Sequence, residues 1–173
     1  QLLKAEFQLR ENRAPAAEDL CRAILVQAPK LREARMILAL SLAAQGKRDD
    51  AKKEWAKLAQ EFPQDRGIAL QYLAQLAGET SARAEFERRL AEIENVPGLD
   101  TGSRYLLAEI LMASGQRAKG VAQLEKLYGE TAEARTGLRL VELQLAEGRA
   151  AVACGNLERV GGGEANLPAS QRG

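Results

Sequence analysis

Arg32–Asp65 reads REARMILALSLAAQGKRDDAKKEWAKLAQEFPQD, and its pattern decides the fold. Glu33 to Gln45 carries apolar Met36, Ile37, Leu38, Leu40 and Leu42 with alanines between them, a pattern that fits a helix far better than a strand at this length. Gly46 stops that helix, because glycine tolerates the left-handed conformation past a helix end. Asp49 and Asp50 then put carboxylates at the positive start of a second helix. This helix turns Ala51, Trp55 and Leu58 inward and leaves Lys52, Lys53, Glu54 and Lys57 to water. Pro63 closes the unit.

The other segments are copies of this unit. Asn12, Gly46, Thr80, Gly115 and Gly148 mark turns spaced by 34, 34, 35 and 33 residues. The segments entering the turns align as AEFQLREN from Ala5, ALSLAAQG from Ala39, AEILMASG from Ala108 and VELQLAEG from Val141. A fixed period of this length is the signature of a repeat architecture. The repeats fall at about 1–31, 32–65, 66–100, 101–133 and 134–160, followed by a Gly-rich irregular tail at 161–173.

Each repeat is expected to be a helix pair. In the first, Ala5 takes the small position of the first helix, Ala17 and Cys21 lie in the second, and Pro15 opens that second helix where its missing N–H costs little. The third is irregular. Ile68, Tyr72, Leu73 and Leu76 form an amphipathic first helix, but Ala82 and Phe86 come about three residues early and the length returns in the linker Asn95 to Asp100. Thr80 or Ser81 is the expected cap, and the stack is expected to bend or loosen here. The fourth has Leu107, Ala108, Leu111, Leu124 and Leu127 in core positions, with Gly120 allowing close helix approach. The fifth has Leu140, Val141, Ala153, Leu157 and Val160.

Composition excludes several kinds of chemistry. With no histidine among 173 residues, His-based acid–base catalysis, Ser–His and Cys–His nucleophile pairs and His metal ligation are absent. There is no Gly-x-x-x-x-Gly-Lys-Ser/Thr loop, no Cys-x-x-Cys and no Gly-x-Ser-x-Gly, and GGGEAN at Gly161 follows a helix instead of linking a strand to one. No catalytic, metal or cofactor-binding residue is assigned. Cys21 and Cys154 lie four repeats apart, too far for the ~7 Å Cα limit of a disulfide, and read as packing residues. The formal charge of +1 and the mixed signs of KRDDAKKEWAK give no basis for nucleic-acid binding. No apolar run approaches the ~18 residues of a membrane span. The chain starts at Gln1 and reads as a mature form or an excised piece, with its compartment open.

A helix pair of this period resembles the tetratricopeptide repeat (TPR), whose pattern places Leu-Gly, Tyr, Ala, Phe and Pro at set spacings. Leu38 and Ala39 fill the Leu-Gly positions, Leu42 the Tyr position, Ala51 and Trp55 the Ala and Phe positions, and Pro63 closes. Arg35 departs from the large residue expected at the front. The resemblance covers the whole chain and implies an all-α, right-handed superhelical solenoid of about five helix-turn-helix repeats.

It also implies a function. First helices of such repeats line a concave groove, which places Leu2, Glu6, Leu9, Met36, Leu40, Ala43, Leu70, Ala74, Tyr105, Glu109, Met112, Leu138, Glu142 and Leu145 there. These residues are mainly apolar. They either meet a protein or peptide partner, in helical or extended form, or are covered by neighbouring repeats. Glu6, Glu109 and Glu142 recur at one position, where they either select Lys or Arg on a partner or only aid solubility. The inward Lys and Asn residues by which chaperone-binding members hold a C-terminal carboxylate are Leu, Glu and Ala here. A non-enzymatic interaction scaffold is therefore expected, with a lean to bacterial envelope assembly, secretion or polysaccharide export, and so to the periplasm or envelope. The alternative is a structural spacer or self-associating segment of a longer array, because neither end shows a polar cap.

Overall fold

Regular punctuation of an alanine- and leucine-rich chain by turn residues gives helices of about ten to fifteen residues, short enough to pack as pairs. The structure is a computed structural model and describes residues 1–94 and 98–161. Those residues form α1 (Leu2–Arg10), α2 (Ala14–Gln27), α3 (Arg32–Ala44), α4 (Arg48–Glu61), α5 (Arg66–Leu76), α6 (Arg83–Glu94), α7 (Thr101–Ala113), α8 (Arg117–Thr131), α9 (Ala134–Ala146) and α10 (Ala150–Gly161). There is no β-strand among them. The architecture is an all-α helical-repeat solenoid.

The chain divides into two compact units, Gln1–Val96 and Pro97–Gly173. In the first, each helix from α1 to α5 packs on its successor, and α1 also touches α3. One apolar cluster there joins Ala5, Cys21, Ile37, Leu38, Leu42 and Ala51, so it spans two repeats. In the second, α7 packs on α8, α8 on α9 and α9 on α10. Its cluster joins Ala108, Leu124, Tyr128, Leu140 and Leu143. Neither unit has a single central core, as expected when each helix pair buries its apolar face on the next.

Most of the expected core residues are inside, including Trp55, Ile68, Leu73, Phe86, Leu107, Leu111, Leu124, Leu127 and Leu140. Gly120 does what its position suggested. A Cβ there would lie 2.6 Å from the carbonyl oxygen of Ala108 and 2.5 Å from Cγ of Met112, so α8 runs against the backbone of α7. Asn12, Gly46, Gly115 and Gly148 have the left-handed φ expected of turn residues.

Four expectations are corrected. In the third repeat the left-handed residue is Gly78, not Thr80, because a β-branched side chain resists positive φ. Thr80 and Ser81 do not cap α6 but lie in a 3-10 turn, Thr80–Ala82, which takes up the irregular length before Arg83. Cys154 is exposed, unlike buried Cys21. Leu157 is also exposed, since none of the described helices packs over that side of α10. Gly161 closes α10, and the rest of the expected tail, like 95–97 of the expected linker, lies outside the described residues.

Candidate protein-binding face

Helix α9 is the most polarised element of the second unit. Thr136, Gly137, Leu140, Val141, Leu143 and Gln144 turn inward. The spacing that buries them leaves Leu138, Glu142 and Leu145 on the opposite stripe, four and then three residues apart. Leu138 is 47 % and Leu145 52 % exposed. Beside them on α7, Tyr105, Glu109 and Met112 are half-buried.

The charges on this face are paired within it. Arg139 donates to both carboxylate oxygens of Glu109, at 2.7 and 3.1 Å, and to Glu142 at 3.0 Å. Glu109 and then Glu142 hold the guanidinium above its ordinary pKa, so the arginine that links α9 to α7 keeps its positive charge. The guanidinium of Arg135 lies 4.1 Å from the centre of the Tyr105 ring, a cation–π contact between the same helices. In the first unit Glu6 accepts from Arg10 at 2.7 Å. All three recurring glutamates thus already hold an arginine.

The expected groove positions do not behave alike. In the first unit Leu2 and Leu9 pack against the apolar cluster, and Met36 and Ala74 are half-buried. Leu40, 39 % exposed, and Ala43 are open. Leu70 is corrected outright. It is 1 % exposed, because α5 buries Ile68, Leu70, Tyr72, Leu73 and Leu76 and so is covered nearly all round. In the second unit Met112 lies over Gly120 and packs on the cluster, whereas Leu138, Glu142 and Leu145 stand free of it.

No protein-family model and no curated protein matches the chain. Solved structures do. TTC0263, a thermophilic TPR protein of Thermus thermophilus, aligns with TM-score 0.72 over 92 % of this chain and 87 % of its own, at 19 % identity. MamA from Desulfovibrio magneticus RS-1, residues 41 to its end, gives 0.65 over 90 and 88 % at 16 % identity. MamA of AMB-1 gives 0.62 over 91 and 93 % at 12 % identity. The fold is that of the tetratricopeptide repeat. At these identities the likeness concerns the fold alone, and no TPR subfamily is singled out.

Two polar features of this TPR-like fold were not anticipated from sequence. Glu18, buried in α2, accepts from Lys47 at 2.8 Å, Gln45 at 2.7 Å and Arg22 at 2.9 Å. Gln144 occupies the position four before the turn where Leu42 and Leu111 stand in other repeats of the chain. It is buried and accepts from the Asn156 amide at 2.9 Å. A glutamine in a leucine position was the available signal for the second, and nothing local marked the first. Among the described residues there is no group of three or more potential metal ligands, and no helix is long and apolar enough to cross a membrane.

Proposed function

We propose that this TPR array is a non-enzymatic scaffold that binds a protein partner through an apolar face of its first helices. One observation carries the proposal. Leu138 and Leu145 stand open on a helix whose other side is packed, and the charged groups around them, Arg139, Glu109 and Glu142, are paired with one another. Exposed leucines beside satisfied charges suit an amphipathic helix or extended segment that docks apolar anchors at i and i+7. Because the glutamates already hold arginines, the partner needs apolar residues more than it needs a cation. The partner system is one of bacterial envelope assembly, secretion or polysaccharide export, a placement that rests on family resemblance alone.

The test compares wild type with a Leu138→Glu, Leu145→Glu double variant in affinity capture from source-cell extract, followed by titration of the purified partner. Both positions are exposed, so both proteins should give the same circular dichroism. A partner that binds wild type and loses at least ten-fold in affinity for the folded variant supports the proposal. Equal binding by the two proteins overturns it. Met112 is unsuited to this test, because its packing on Gly120 would mix stability with binding. A second reading, a spacer or self-associating segment of a longer array, draws on the exposed Leu3 and Phe7 of α1 and Leu157 of α10.

A further inference from the structure

Helices α8 and α10 border a groove in the second unit, with α9 as its floor. Two cavities lie along it, of about 480 and 260 Å³, and Glu125 of α8 lines both. Arg117, Val121, Glu147 and Arg149 line the first, and Gln144, Val152 and Asn156 line the second. On α9 and α10 the lining residues recur every three or four positions, so each helix gives the groove one stripe.

The first cavity opens where other repeats place a charge. Glu18, six residues after the turn at Asn12, pairs with Lys47, which directly follows the next turn. Lys52, six after Gly46, pairs in the same way with Glu79. Six after Gly115 stands Val121, which offers no charge to Arg149, the residue directly after Gly148. Arg149 donates to Glu147 instead, and Arg117 donates to the same carboxylate at 3.2 Å. Arg117 and then Arg149 hold the Glu147 carboxyl below its ordinary value, so it is ionised. Two guanidiniums with about ten N–H donors thus share one carboxylate with about four acceptor sites. This end of the groove carries a positive charge in excess, beside the space that a glutamate such as Glu18 would fill.

The second cavity offers hydrogen bonds of another kind. Gln144 is 3 % exposed, and its side-chain oxygen accepts from the Asn156 amide at 2.9 Å. The groups left for a ligand are an N–H donor of Gln144 and an acceptor oxygen of Asn156, the complement of a peptide group. An extended chain has its peptide groups to offer, whereas a helix spends them internally. Arg149 and Asn156 are seven residues apart in sequence, about 10 Å along a helix, which is the reach of about three extended residues.

We propose that the groove between α8 and α10 binds an extended peptide segment of a protein partner, an acidic side chain lying between Arg117 and Arg149 and a peptide group on Gln144 and Asn156. The groove shares no residue with the face that carries Leu138 and Leu145.

A panel of blocked pentapeptides of alanine and valine, with glutamate at each position in turn, covers every register, and the same peptides with glutamine are the controls. Titration of the full chain, followed by NMR, should move the side-chain amide signals of Gln144 and Asn156. At least one glutamate peptide should bind about ten-fold tighter than its control, the worth of a charge-assisted pair. Val121→Glu should give Arg149 an internal partner and abolish that preference. Glu147→Gln should enlarge it, by removing the carboxylate that competes for both arginines. Gln144→Leu, which installs the residue found at this position in other repeats, should stay folded by circular dichroism and weaken every peptide about ten-fold. Leu138→Glu with Leu145→Glu should leave the titrations unchanged, so failure of that face and failure of this groove are read separately. A panel that moves neither amide signal overturns the proposal. So do glutamate and glutamine peptides that bind alike, or binding that Gln144→Leu leaves intact.

Discussion

Glu18 of α2 and Lys47 of the turn after α3 form an ion pair of 2.8 Å that fastens the first repeat to the second. Lys52 and Glu79 repeat the contact one unit later at 2.7 Å with the charges exchanged. Arg117 and Glu147 make a related link from α8 to the turn after α9, at 3.2 Å. The stack thus carries a polar tie beside each apolar cluster, and the residues that form it lie about one repeat apart in sequence.

Glu18→Gln should lower unfolding free energy by about 1–3 kcal/mol, since a nearly buried carboxylate with three donors is replaced by an amide that cannot satisfy them all. Lys47 chiefly, opposed by desolvation and aided by Arg22 and Gln45, holds the Glu18 carboxyl down at about 2. Its folded pKa is depressed, so its stabilisation is whole above the ordinary carboxylate value of 4.5 and is lost as pH falls toward 2. Urea melts across that window should show the variant's stability falling less steeply than that of wild type.

Exchanging charges at Lys52 and Glu79 tests the second tie. Lys52→Glu and Glu79→Lys should each destabilise, and the double exchange should recover about 0.5–1 kcal/mol of the sum, as befits a half-exposed pair. A double-mutant cycle at low salt, repeated at high salt, should show that recovered coupling shrink.

Gly120→Ala should be destabilising by about 1–2 kcal/mol even though alanine is worth about 1 kcal/mol more than glycine in helix propensity. The added Cβ would sit 2.6 Å from a backbone oxygen of α7, which cannot turn away as a side-chain end can. Thermal melts of the two proteins, matched in helicity, decide it.

Ala132 ends α8 with φ +51°, a left-handed conformation that costs an alanine about 1 kcal/mol. Ala132→Gly should raise stability by about 0.5–1 kcal/mol after the greater freedom of glycine in the unfolded chain is counted. The check is a rise in the urea midpoint with an unchanged slope.

The sequence determined the period, the helix pairs and most buried residues, because a helix face and its turn residues are encoded within about ten neighbouring positions. Trp55, Leu73 and Leu124 could be placed inside on that ground alone, and Gly120 could be recognised as a point of close approach. Local spacing also put Leu138 and Leu145 on one stripe. It could not show that Leu70, on the matching face of α5, would be covered, since coverage depends on what packs around a helix. Tertiary structure alone joined Glu18 to Lys47 and Arg139 to Glu109, across 29 and 30 residues. The physical reason is the same in each case: periodicity fixes which way a side chain points, and the neighbouring repeat decides what it meets.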